Sequence, residues 1–170
     1  VDAERSAAVA CLFIDYGQPA RQQERQAAAT AAARYNVPLH EARLPIALGA
    51  MDAPAGEAGP RIVPGRNLSM LAAATSLAAT LGADEVVIGA SGADHAAYPD
   101  CRPEFIARLS EVTSSAYGVQ VVAPLQSLSR AQIVDLARQY GIVASDVWSC
   151  YTPIDGKPCG TCDSCLQEAL

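Results

Sequence analysis

The chain has 170 residues, 51% of them hydrophobic, which is the size of one domain and ample material for a single packed core. A formal net charge of −6 leaves no overall basic field, which argues against broad or direct binding to nucleic acid. No apolar run approaches the roughly 18 to 20 residues that span a bilayer, and no basic, apolar, small-residue signal opens the chain. A soluble cytoplasmic protein with no membrane partner is the expectation.

In chain order, "AVACLFIDYG" is a short apolar run ending in Asp15-Tyr16-Gly17, as in a buried parallel strand that delivers polar groups at its carboxyl end. "PARQQERQAAATAAARYN" predicts a helix opened by Pro19 and stopped at Asn36. "LHEARLPI" reads as a second strand, and "GAMDAPAGEAGPRIVPGRN" as a long loop near a site. From Leu68 the pattern is helical to Gly82, and "ADEVVIGA" is another buried strand. The loop "SGADHAAYPDCRPEF" leads into the helix "EFIARLSEVTSSAYG" and the strand "VQVVAPL". "SRAQIVDLARQYG" predicts a final helix with Ser129 as N-cap and Gly141 at its end. Strands alternating with helices predict an α/β fold, a parallel sheet with helices on both faces. In such sheets ligands bind at the carboxyl ends of the strands.

Four of the six cysteines, Cys150, Cys159, Cys162 and Cys165, crowd into the closing stretch "SCYTPIDGKPCGTCDSCLQEAL". Two overlapping Cys-x-x-Cys steps, with Cys150 upstream across a turn, bring four thiolates within reach of one ion. Structural Zn2+ with four tetrahedral thiolates suits that spacing, and would staple the tail without activating water. An iron-sulfur cluster, a disulfide or a redox pair are the alternatives. The expected organisation is an α/β domain over residues 1–147 followed by a zinc-binding tail over residues 148–170.

Taken with "LFIDYGQ", "VPGRN", "YPDCRPEF" and "WSC", this tail resembles the 7-cyano-7-deazaguanine synthases of queuosine and deazapurine biosynthesis, which are nucleotide pyrophosphatase-loop ATPases with an adenine nucleotide alpha-hydrolase-like fold. The likeness runs in order from about Cys11 to Cys165. It implies conversion of 7-carboxy-7-deazaguanine, ATP and ammonia to the nitrile through an acyl adenylate, an amide and a second ATP-dependent dehydration. It also implies a homodimer, magnesium with the ATP, and Cys150, Cys159, Cys162 and Cys165 as ligands of a structural zinc. Asp15, Tyr16, Gly17 and Gln18 would lie beside the nucleotide. Arg66, Arg102 and Arg130 would neutralise phosphate charge during adenylation, Arg130 standing where related sequences often place a lysine. Tyr98 and Phe105 would stack on the flat base, Asp100 would accept from its guanine-like edge, and Asn67 joins them as a substrate contact.

Plainer readings stand beside these. Arg66 can pair with a loop carboxylate, Arg130 can be a solvated first-turn residue, Phe105 can belong to the core and Asp15 can cap the next helix. Cys101 reads as a buried small residue, and His40 and His95 as satisfied structural histidines. A protein that keeps fold and zinc but binds a deazapurine or activates another carboxylate, without nitrile synthesis, is the alternative function. A transfer-RNA thiolation or amidotransferase relative would call for a basic surface, against which the charge of −6 argues.

One family element has no match: a Ser-Gly-Gly-x-Asp-Ser loop after the first strand, whose backbone amides grip the ATP phosphates. "GASGAD" at residues 89–94 follows a later strand and does not replace it. The expected place for it is ahead of Val1 or within the opening "VDAERSAAVA".

Overall fold

A computed structural model describes residues 10–45 and 62–166. The opening "VDAERSAAV" and most of the long loop expected before Arg66 lie outside the described residues. The described residues form two compact units, one spanning Gly65–Leu136 and the other made of residues 10–45, 62–64 and 137–166.

In the second unit β1 (Cys11–Asp15) pairs in parallel with β2 (Leu39–Arg43), Cys11 opposite Leu39 and Asp15 opposite Arg43. The consecutive residues Phe13 and Ile14 are both buried. Because successive side chains point to opposite faces, β1 is covered on both, as a parallel strand should be. The helix expected to open at Pro19 begins two residues later, as α1 (Arg21–Arg34), after a turn in which the Arg21 N–H reaches the Gln18 carbonyl at 3.1 Å. Asn36, at φ 51°, takes the left-handed conformation that ends the segment.

In the first unit α2 (Arg66–Leu81) leads to β3 (Glu85–Val87), α3 (Pro103–Tyr117) and β4 (Gln120–Val122), with β3 and β4 paired in parallel. Sequence pattern starts α2 at Leu68, but the helix also takes in Arg66 and Asn67. Gly65, at φ 73°, turns the chain into it, and a carboxylate from elsewhere satisfies one of its first N–H groups, as described below. Two short 3-10 turns, Gly92–Asp94 and Pro99–Cys101, shape the connection before α3. The core gathers Leu71, Ala78, Val86, Ile106, Val119 and Val121, with Phe105 and Leu109 packed against it. Burial of this kind stabilises by roughly 25 cal/mol per Å² of apolar surface.

The first turn of α4 (Arg130–Gln139) is capped by Ser129, as its sequence predicts, and Gln132 returns the bond: the Ser129 N–H reaches Gln132 Oε1 at 2.9 Å and the Gln132 N–H reaches Ser129 Oγ at 3.4 Å. Gly141, at φ 65°, turns the chain away after its end. A last short helix, α5 (Asp163–Leu166), closes the described chain. The fold is thus α/β with parallel strand pairing. Among the described residues no helix is long and apolar enough to cross a membrane.

Candidate metal centre and substrate-site residues

The cysteine tail folds by a sequence of turns that each residue type dictates. Asp155-Gly156 carries φ values of 49° and 76°, and the Ile154 and Lys157 backbones exchange bonds of 2.9 Å in both directions across it. Two central residues at positive φ make the hairpin turn that Asp-Gly favours. This reversal returns the chain so that the Cys159 N–H lies 3.3 Å from Cys150 Sγ. Gly160, at φ 73°, then bends Cys159-Gly-Thr-Cys162 so that the Cys162 N–H lies 3.4 Å from Cys159 Sγ. The fourth sulfur comes from α5, with Cys165 Sγ 3.9 Å from Cys159 Sγ.

All four sulfur atoms lie within 4.8 Å of one another, and none is in a disulfide. Thiolates bound at about 2.3 Å to one tetrahedral ion stand about 3.8 Å apart. The set is therefore nearly closed around the volume of a single ion. Cys150 and Cys162 are buried, so water has little access to that volume. Cys159 is pulled down to about 5, first by the Thr161 N–H and hydroxyl, with the Cys162 N–H and Thr152 hydroxyl adding to them against burial. Cys165 is pushed up to about 12, by burial first and, against the Gly160 N–H, by the neighbouring thiols. A divalent cation would displace the remaining protons on binding. The four cysteines can hold a metal ion.

The turn after β1 is knit by its own side chains. The Gly17 N–H reaches Asp15 Oδ1 at 2.8 Å, so Asp15 supports its own turn and does not cap α1. Gln18 is buried: its Oε1 accepts from the Tyr16 N–H at 2.9 Å, and its Nε2 donates to the Ile14 carbonyl and to Glu24 at 3.1 and 2.8 Å. Gly17, at φ 87°, occupies the left-handed region between them. Residues 15–18 thus form one rigid corner at a strand's carboxyl end.

In the first unit the structure brings together Arg66, Asn67, Tyr98, Asp100 and Cys101. Asp100 Oδ2 accepts from the Asn67 N–H at 3.2 Å and so serves as a cap for the start of α2, where negative charge is favourable. Asn67 is buried, and its Nδ2 lies 3.3 Å from Cys101 Sγ. The Arg66 guanidinium sits 6.0 Å from the centroid of the Tyr98 ring, while its Nε reaches Asn67 Oδ1 at 3.3 Å. Arg102 turns its Nε to the His95 carbonyl at 3.0 Å. Phe105 is half-buried against the core. Arg130, the first residue of α4, is exposed, and no hydrogen bond or ion pair among the described residues ties it to this group.

Cys101 is buried, and its thiol is pushed up to about 11, by burial first and then by Asp94 and Asp100, against Arg66 and Asn67. It is a packed small residue with a proton, as its plain reading expects. His95 departs from expectation: among the described residues its buried Nε2 has no hydrogen-bond partner, so it is not a fully satisfied structural histidine there. Sequence reading also missed Thr152 and Thr161, whose hydroxyls reach Cys159 Sγ. A threonine in a turn carries no spacing signal that would reveal this.

The profile of the queuosine biosynthesis protein QueC family matches residues 1–169. The chain is 38% identical over 183 residues to a 7-cyano-7-deazaguanine synthase of Rhizorhabdus wittichii, spanning 95% of this chain and 79% of that protein. It is 39% identical over 183 residues to the 7-cyano-7-deazaguanine synthase of Novosphingobium aromaticivorans, spanning 95% and 78%. A third such synthase, from a Synechococcus species, is 36% identical over 176 residues, spanning 91% and 76%. With nearly the whole chain matched in this way, the protein belongs to the queuosine biosynthesis protein QueC family.

Proposed function

We propose that this protein is a carbon–nitrogen ligase that converts 7-carboxy-7-deazaguanine and ammonia to 7-cyano-7-deazaguanine at the expense of ATP. The observation that carries the reading is the match to these synthases along almost the entire chain, joined to the four-cysteine centre and the Arg66, Tyr98 and Asp100 group in one sequence.

The chemistry fits the residues. A carboxylate oxygen is a poor leaving group until it is adenylated. Attack on ATP releases pyrophosphate, and ammonia then displaces AMP, which carries one carboxylate oxygen away, to give the amide. A second adenylation, on the amide oxygen, lets that oxygen depart with AMP as the nitrile forms and protons are released. The enzyme's share is alignment and charge neutralisation. Arg66, Arg102 and Arg130 supply cationic charge toward phosphates, alongside the magnesium that accompanies ATP. The corner Asp15-Tyr16-Gly17-Gln18 offers a rigid edge to the nucleotide. Tyr98 and Phe105 offer ring faces, and Asp100 and Asn67 offer polar groups, to the deazapurine.

Zinc is the ion assigned to Cys150, Cys159, Cys162 and Cys165. With four protein ligands it has no open position, so it holds the tail in shape. The family resemblance also implies a homodimer acting in the cytoplasm; light scattering of the purified protein tests the assembly.

The deciding experiment is incubation of the purified protein with 7-carboxy-7-deazaguanine, ATP, magnesium and ammonia. Nitrile formation with matching AMP release is the expected result. Deazapurine binding with no AMP would overturn the ligase reading in favour of a binding protein.

A further inference from the structure

The sulfur of Cys159 is the most heavily solvated by protein donors of the four. The Cys162 N–H approaches it at 3.4 Å, and the Thr152 hydroxyl donates to it at 3.7 Å, within the longer range of hydrogen bonds to sulfur. Thr152 lies two residues after Cys150, in the bend that precedes the Asp155-Gly156 hairpin, and is buried at 8% exposure. A buried hydroxyl keeps its hydrogen bond or loses stability, so its donation toward the sulfur is directed, not incidental.

Four thiolates around one divalent cation leave a net charge of −2 at a largely buried site. N–H and O–H groups aimed at sulfur offset that charge and fix each sulfur's lone pairs for coordination. The Cys159 N–H does this for Cys150, and the Cys162 N–H for Cys159. Those two donors are backbone and arise from the turns themselves. Thr152 is a side-chain donor, and its hydroxyl can be removed by substitution without disturbing the knuckle.

We infer that Thr152 is a positioning residue of the metal centre, its hydroxyl orienting the Cys159 thiolate and slowing release of the ion. The inference rests on the proposed zinc reading and adds a residue to it. Outer-shell partners of metal ligands typically change affinity by about 10- to 100-fold when lost.

The test compares the full-length protein with Thr152→Val and Thr152→Ser. Zinc release to a chromogenic chelator is timed at fixed pH, and the sulfur-to-cobalt charge-transfer band is recorded after Co2+ substitution. Thr152→Val should release zinc about 10-fold faster, in the range expected for such partners. Its charge-transfer band should move to lower energy, because a sulfur lone pair without its hydrogen bond is easier to ionise. Thr152→Ser should restore both. A purely packing role would leave the band where it is. If Thr152→Val does not fold, Thr152→Ala removes the same hydroxyl without crowding. One zinc per chain in both proteins with unchanged release and band would overturn this inference alone. Absence of zinc from the unsubstituted protein would overturn the zinc reading along with it.

Discussion

The side-chain amide of Asn67 donates to the sulfur of Cys101 across 3.3 Å, and both residues are buried. This bond ties the first turn of α2 to the 3-10 turn that precedes α3. The amide draws the Cys101 thiol down, but burial first and then Asp94 and Asp100 outweigh it, so the thiol stays protonated.

Cys101 should therefore resist alkylation. With its thiol pushed up to about 11, the thiolate fraction near pH 8 is on the order of one in a thousand. Iodoacetamide labelling followed by peptide mapping should leave Cys101 unmodified at pH 8 in the native protein and modify it fully in denaturant. The same shift has a stability consequence with a definite sign. The folded value lies above the unfolded one, so the contribution is complete below about pH 8.5 and is lost as pH rises toward about 11. Thermal melts over that window should fall, and Cys101→Ala should flatten the fall.

The cap on α2 separates two roles of Asp100. Loss of a helix cap costs about 0.5–2 kcal/mol, so Asp100→Ala should lower stability by about that amount. Arg66→Ala removes a cation lying over the Tyr98 ring without removing that cap. It should cost stability only through the long 3.3 Å bond to Asn67 Oδ1, with the cap kept, and lower kcat/KM for nitrile formation by about 10- to 100-fold, the order of a lost charged contact. Arg66→Lys should recover only part, since a point charge does not reproduce the planar guanidinium. Equal activity in Arg66→Ala and the parent would remove Arg66 from the site.

Much of this was legible in the sequence, and the reasons differ by element. The end of α2 follows from Gly82 and that of α3 from Gly118, each at φ 70°, and Ser129 as N-cap marks the start of α4. These are local rules acting on neighbouring residues. The start of α2 was misplaced because the group that satisfies its N–H comes from Asp100, 33 positions away, which no local pattern reports. The convergence of the four cysteines was readable from spacing because two Cys-x-x-Cys steps constrain geometry directly. Thr152 was not, because its role depends on the Asp155-Gly156 hairpin bringing Cys159 back toward it. The burial of His95 Nε2, which has no hydrogen-bond partner among the described residues, likewise depends on packing that composition does not encode.

Removal of the metal should loosen the tail first. An excess of strong chelator should release one zinc per chain and render Cys150, Cys159, Cys162 and Cys165 accessible to thiol reagents, while Cys101 stays unlabelled. Gly156→Val should act in the same direction. Among the described residues its added Cβ meets only Gln23 Nε2 at 3.9 Å, so crowding is not the reason; φ of 76° is, and a β-branched residue there costs about 1–2 kcal/mol or more. Zinc content by elemental analysis should drop in that variant. Full zinc occupancy and an unchanged melt would show that the hairpin does not set the cysteine geometry.

Arg34 provides the test of how the segment leading to the tail is held within its unit. Its guanidinium bonds the Gly141 and Tyr140 carbonyls at 2.7 and 3.2 Å and pairs with Asp146 at 2.9 Å. The ion pair is partly exposed, which limits it to about 0–1 kcal/mol, whereas the same guanidinium also bonds two carbonyls past the end of α4. Arg34→Met, which keeps the aliphatic stem, should therefore cost about 1–2 kcal/mol, and Asp146→Asn clearly less. Gly141 adds a coupled prediction: at φ 65° any side chain is strained, and a Cβ there would lie 3.2 Å from Arg34 Nη2. Gly141→Ala should thus cost about 1–2 kcal/mol from backbone conformation alone, with a further loss from displacing Arg34. In the Arg34→Met background only the backbone part should remain. A double-mutant cycle by urea denaturation measures the difference, and strict additivity would mean that Arg34 moves aside freely and does not anchor the end of α4.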